Sequence, residues 1–116
     1  MNGIIFNKTK MLKELTEFYI HEIGCEIWLE QEDCKVFKFG NMLFGFCDRE
    51  EADICGMITF YYDNKHDVDE KYDKFSSIAA DKPKLNSKYR IYHFFAKDPE
   101  GRVIEFQWFQ DEMKDY

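Results

Sequence analysis

A chain of 116 residues, 45% hydrophobic and 34% charged, is expected to fold as one globular domain that buries very roughly two-thirds of its unfolded surface without disulfide staples. The net charge of −7 sets aside nucleic acid and anionic membrane as partners, because both demand clustered Lys and Arg. The departure from ordinary composition is the 18% of aromatic residues, which favours a core or pocket lined by rings.

No positively charged start with an apolar run precedes the domain, and no stretch approaches the ~18 apolar residues of a membrane span. Cys25, Cys34, Cys47 and Cys55 contain no C-x-x-C pair and suit neither a zinc ribbon nor a thioredoxin-like site. They are read as small buried hydrophobes in a reduced, cytoplasmic protein.

In chain order, Gly3-Ile4-Ile5-Phe6 reads as a buried strand. From Thr9 the period changes: Met11, Leu12, Leu15, Phe18, Tyr19 and Ile23 recur at spacings of three and four. They predict an amphipathic helix capped by Asn7 or Thr9 and stopped at Gly24. Three antiparallel strands follow: Glu26 to Glu30, Cys34 to Phe39 and, past a Gly40-Asn41 turn, Met42 to Cys47. Both parities of that last strand are apolar, as in a sheet covered on both faces.

The acidic stretch DREEAD, about 48–54, reads as a linker, after which the same order begins again. Gly56 to Tyr62 is a strand; Asp67, with Glu70 in capping-box position, starts a helix whose stripe is Val68, Tyr72, Phe75 and Ile78 or Ala79. Asp81 to Ser87, containing Pro83, is loop with at most a short edge strand. Tyr89 to Ala96 and Arg102 to Phe109 form a hairpin closed by Asp98-Pro99-Glu100-Gly101, and the polar tail 111–116 is expected to fray.

The chain is thus a strand, a helix and three strands written twice, about 53 residues apart. Module one covers about 1–50 and module two about 55–110. One carboxylate, Glu105, stands among Val103, Ile104, Phe106, Trp108 and Phe109, where burial is costly unless it is paired. Arg90, Arg102 and Tyr hydroxyls are structural candidates for that pairing; a cationic or hydrogen-bond-donating ligand is the functional one.

The Asp-Pro-Glu-Gly turn with the triplet Ile104-Glu105-Phe106, set in this repeat, resembles the vicinal oxygen chelate superfamily of glyoxalases, bleomycin-resistance proteins and extradiol dioxygenases. The resemblance implies an α+β fold in which paired βαβββ modules form a curved mixed sheet with a cleft, helices on its outer face. It also implies a homodimer, and a Glu at position 105 that in metal-dependent relatives is a ligand. The other ligand positions fall near Ile4, Met57 and Phe44, which are apolar here, so no cofactor is expected; a single Zn, Ni, Mn or Fe is the alternative. Pairing Ala96 with Val103 puts Phe94 opposite Glu105 and turns His93 to the other face, which a one-residue bulge would reverse, leaving Glu105, with His93 if any, as metal donors. The expected function is binding of a small organic molecule in an aromatic cleft lined by Phe44, Phe46, Met57, Tyr61, Tyr92, Phe94, Glu105 and Trp108. The alternatives are a metal-dependent lyase, isomerase or dioxygenase with Glu105 as catalytic residue, and a non-catalytic interaction module.

Overall fold

A computed structural model describes residues 1–113, so 114–116 of the tail expected to fray lie outside the described residues. The chain divides into two compact units, Met1–Cys55 with Asp98–Gly101, and Gly56–Lys97 with Arg102 onward.

The first unit contains β1 (Ile5–Thr9), α1 (Leu12–Glu17) continued by a π-helical segment (Phe18–Ile23), β2 (Glu26–Glu30), β3 (Cys34–Phe39) and β4 (Met42–Asp48). Its sheet has the order β1-β4-β3-β2, with β1 parallel to β4 and the other pairs antiparallel. Gly24, at φ 95°, ends the helical stretch in the left-handed conformation a glycine adopts without Cβ strain. The helix begins at Leu12 rather than Thr9: Thr9 sits in β1, and its hydroxyl accepts from the Met11 N–H at 2.9 Å.

The second unit repeats the pattern with β5 (Met57–Tyr62), α2 (Lys65–Phe75), β6 (Lys84–Asn86), β7 (Ile91–Lys97) and β8 (Val103–Phe109), ordered β5-β8-β7-β6. These are the expected βαβββ modules, with the expected short edge strand at β6. The cap of α2 differs from expectation. Asn64, extended at φ −144°, accepts from the Asp67 N–H at 3.0 Å, so Asp67 lies inside the first turn.

Each helix lies against one face of its own sheet. In the first unit Tyr19, fully buried, has Phe37, Phe44 and Phe46 within 5.4 to 5.9 Å, centroid to centroid. In the second, Phe106 stacks with Phe60, Phe75 and Phe94. Burying each such ring contributes about 1.5–3 kcal/mol, so these clusters dominate the stability of the units.

The Asp98–Gly101 turn belongs to the first unit. Asp98, 4% exposed, accepts from the Tyr19 hydroxyl at 2.8 Å and from the Glu100 N–H at 2.9 Å. Glu100 accepts from the Thr9 hydroxyl at 2.6 Å and the Lys10 N–H at 2.9 Å. The two acids of the turn therefore act as acceptors for β1, the residue after it and the helix that follows.

Three of the four cysteines depart from expectation; Cys25 is the small buried hydrophobe that was expected. Cys34 and Cys47, opposite one another on β3 and β4, form a disulfide with their Cα atoms 4.0 Å apart. Neighbouring antiparallel strands bring directly opposed Cβ atoms within bridging range, a pairing that sequence spacing alone does not reveal. Cys25 is free and buried, and Cys55 is free and exposed. Among the described residues no helix is long and apolar enough to cross a membrane.

Candidate functional site

The register of the β7–β8 hairpin decides what surrounds Glu105. Ala96 pairs with Ile104 and Lys97 with Val103, so the loop has five residues, Asp98 to Arg102, one more than expected. Because side chains alternate along a strand, that single residue turns the whole of β7 over relative to β8. Phe95, not Phe94, stands opposite Glu105, and His93 shares its face.

On that face Glu105 is held by both oxygens. The Thr59 hydroxyl on β5, the parallel partner of Glu105, donates to Oε1 at 2.8 Å. His93 Nδ1 lies 2.6 Å from Oε2, with the two side chains only 7% and 5% exposed. In a neutral imidazole facing the Glu105 carboxylate, Nδ1 carries the proton and Nε2 presents its lone pair. Thr59, Glu105 and His93 thus form a chain across three strands that orients an imidazole. Arg90 is not part of it: it pairs with Asp111 at 2.9 Å. Arg102 is buried in the turn.

Above this chain lies a cavity of about 580 Å³, lined by His93, Glu105 and Gln107 together with Met57, Ile91, Phe95, Phe109 and Tyr89, and by Lys84 and Asn86 from the edge strand. The volume falls in the range of small-molecule sites, as does the lining of many apolar groups around a few polar ones. Gln107 is 8% exposed, and His93 and Phe95 meet edge to face at 5.0 Å.

Of the residues expected to line a cleft, Met57 and Glu105 do line this cavity. Tyr61 shares the parity of Thr59, contacts Phe109 edge-on and lines a separate space of about 400 Å³ with Trp108. Phe44 and Phe46 are packed under the helical stretch of the first unit, and Phe94 lies between Phe106 and Tyr72 of α2. Tyr92 also faces α2, where its hydroxyl donates to Asp69; burial and that bond push the phenol up to about 12. The expected face was wrong for these four because each strand carries apolar residues on both parities, and parity alone does not say which side the helix covers. Thr59 and Gln107 were missed, although Gln107 follows from Glu105 by alternation once the face is known.

A divalent metal wants three or four donors. Opposite Glu105 the structure places Thr59, not Met57, and in the first unit Phe6 pairs with Gly45 and Ile5 with Phe44. These correct the expected positions Ile4, Met57 and Phe44. The Phe6 ring covers Gly45 so closely that a Cβ there would lie 2.6 Å from its Cε1. Glu105 and His93 are bonded to each other, and no group of three or more His, Cys, Asp or Glu with metal-holding geometry occurs among the described residues. Of the described residues lining the cavity, Glu105 and His93 are the two with carboxylate or imidazole donors.

No protein-family model matches the sequence, and no curated protein matches it. Solved structures do. A lactoylglutathione lyase from Agrobacterium tumefaciens is 22% identical, covering 93% of this chain and 92% of that one at a TM-score of 0.75. A glyoxalase/bleomycin resistance protein/dioxygenase family enzyme from Burkholderia phytofirmans PsJN is 17% identical over 90% and 95%, at 0.78. A glyoxalase/bleomycin resistance protein/dioxygenase from Alicyclobacillus acidocaldarius is 18% identical over 96% and 92%, at 0.72. The chain therefore has the vicinal oxygen chelate fold, as the resemblance of its turn and repeat implied.

Proposed function

We propose that the cavity over the second sheet binds a small, largely apolar organic molecule without a resident metal, in the manner of the bleomycin-resistance branch of this fold. The observation that carries the reading is the Thr59–Glu105–His93 chain at the floor of a ring-lined cavity. It commits Glu105 Oε1 to the Thr59 hydroxyl and Oε2 to the imidazole, so His93 touches the ligand and Glu105 positions it. Stabilisation by small ring compounds in a thermal-shift screen tests this, since a molecule that binds only the folded chain raises its melting temperature. Hits that vanish in Met57→Trp and His93→Gln support the site; hits unaffected by both variants place binding elsewhere. A tightly held Zn, Ni, Mn or Fe in the purified chain would overturn the metal-free claim.

The same chain of bonds supports a second reading, in which His93 Nε2 is the general base of a lyase or isomerase. Then His93→Gln abolishes turnover, whereas Glu105→Gln lowers it while leaving binding in place.

The proposal extends to a homodimer. Ile27, Trp28 and Leu29 on the edge strand β2 are 42%, 52% and 39% exposed, three consecutive apolar residues that association would cover. Light scattering should return twice the mass of one chain. A cytoplasmic location is also part of the proposal, and there the Cys34–Cys47 pair would be kept reduced. Thiol trapping at lysis reads that state directly, and a bridge already formed in the cell counts against the cytoplasm.

A further inference from the structure

We propose that the ligand of this cavity is a ring compound with a cis-amide edge, an N–H donor beside a carbonyl acceptor, read together by His93 and Gln107. The inference rests on the cavity being a binding site and adds the chemical class of what it takes.

His93 and Gln107 are cross-strand partners on β7 and β8, both more than nine-tenths buried and both lining the cavity. Among the described residues neither the Gln107 carboxamide nor His93 Nε2 has a hydrogen-bond partner. Among the described residues the Tyr62 hydroxyl is the buried side-chain polar atom without a partner, so the Gln107 and His93 atoms open onto the cavity, where a ligand that matches both replaces water at them. Their roles differ. In the neutral imidazole the proton facing the Glu105 carboxylate sits on Nδ1, and Nε2 accepts. The carboxamide supplies an N–H beside it. Directly opposed residues hold their Cβ atoms about 4.5–5.5 Å apart, which suits two neighbouring atoms on one planar edge.

The electrostatics narrow the class. A carboxylate would set its lone pairs against that of Nε2 and lie near the charge of Glu105. An ether or nitrile would satisfy Gln107 and leave His93 unmet. A neutral lactam or imide satisfies both: its N–H donates to Nε2, and its carbonyl accepts from Gln107. Its ring would lie among Met57, Ile91, Phe95 and Phe109.

Isoindolinone, N-methylisoindolinone and indane test this on the full chain. They share a fused bicycle and differ in the amide edge: donor and acceptor, acceptor alone, neither. Titration calorimetry gives the affinities, and long-range proton–nitrogen NMR of His93 reports contact at Nε2. The expected result is that isoindolinone binds and shifts Nε2, while N-methylation and Gln107→Leu each weaken it about tenfold, the equivalent of 1.4 kcal/mol. Gln107→Leu should keep its affinity for indane, which also shows that the variant is folded. Equal affinity for all three compounds, or for lactam and N-methyl lactam, would overturn the amide-edge assignment while leaving the cavity as a site. No binding by any of them, with His93 unmoved, would overturn both.

Discussion

His93 Nδ1 lies 2.6 Å from Glu105 Oε2, joining β7 to β8 on the face that lines the cavity of about 580 Å³. Removing the carboxylate by Glu105→Ala leaves the Thr59 hydroxyl and a buried imidazole without their acceptor. We expect a loss of about 2–3 kcal/mol in urea unfolding, and a smaller loss for Glu105→Gln, which still offers one acceptor. Equal losses for the two variants would show that the acceptor kept by Gln contributes nothing, because Gln also keeps the packing that Ala deletes.

Tyr19→Phe should cost about 1 kcal/mol, because it deletes the 2.8 Å bond to Asp98 and keeps the ring. Asp98→Ala should cost more, since it strands both the phenol and the Glu100 N–H. A double-mutant cycle that returns no coupling would refute this account of how the turn is fastened.

Gly45→Ala should destabilise by about 1–3 kcal/mol through overpacking. The added Cβ meets Phe6 Cε1 at 2.6 Å and the Lys35 carbonyl oxygen at 2.9 Å. Combining it with Phe6→Ala relieves the first contact but not the second, so the pair should be less destabilised than the two changes added together, yet not free of strain. Strict additivity in chemical unfolding would remove Phe6 from the explanation.

The Cys34–Cys47 bridge closes a loop with a sequence separation of 13. Closing a loop of that size stabilises by about 3 kcal/mol, chiefly through the unfolded chain. Reduction, or Cys34→Ser, should lower the urea midpoint accordingly without altering the denaturant slope by much. An unchanged midpoint under reductant would mean the bridge contributes nothing.

Cys25 and Cys55 should separate cleanly in thiol labelling. Burial pushes the Cys25 thiol from 9.0 up to about 12, so it stays protonated in mildly alkaline buffer, while Cys55 is exposed and reacts. A raised folded-state value means the neutral thiol favours the folded chain. That contribution is complete below about pH 9, the unfolded value, and is lost as pH climbs from there toward about 12. Cys25→Ala should flatten stability across that window relative to the parent chain. A slope unchanged by the substitution would assign the alkaline loss to other groups, Tyr92 first among them.

The β-strands from Glu26 to Cys47, the Gly24 stop and the Asp98–Gly101 turn could be read directly, because period and turn chemistry are local properties of a few neighbouring residues. The repeat was equally legible: the order strand, helix, three strands recurs in the two sheets, each with its first and last strands paired in parallel. Cap assignment was less secure, since Asn64 and Asp67 are both good caps and only the backbone at Asn64 distinguishes them.

The sequence by itself determined the βαβββ repeat, the fold it resembles and the oddity of a lone carboxylate at Glu105. Tertiary structure decided the rest. One more residue in the β7–β8 loop reversed the face of His93, and which side of each sheet the helix covered sent Phe44, Phe46, Tyr92 and Phe94 into cores rather than a cavity. It also joined Cys34 to Cys47. All three depend on pairings between strands, where a shift of one position inverts every side chain, and no local pattern in an apolar strand records which register wins.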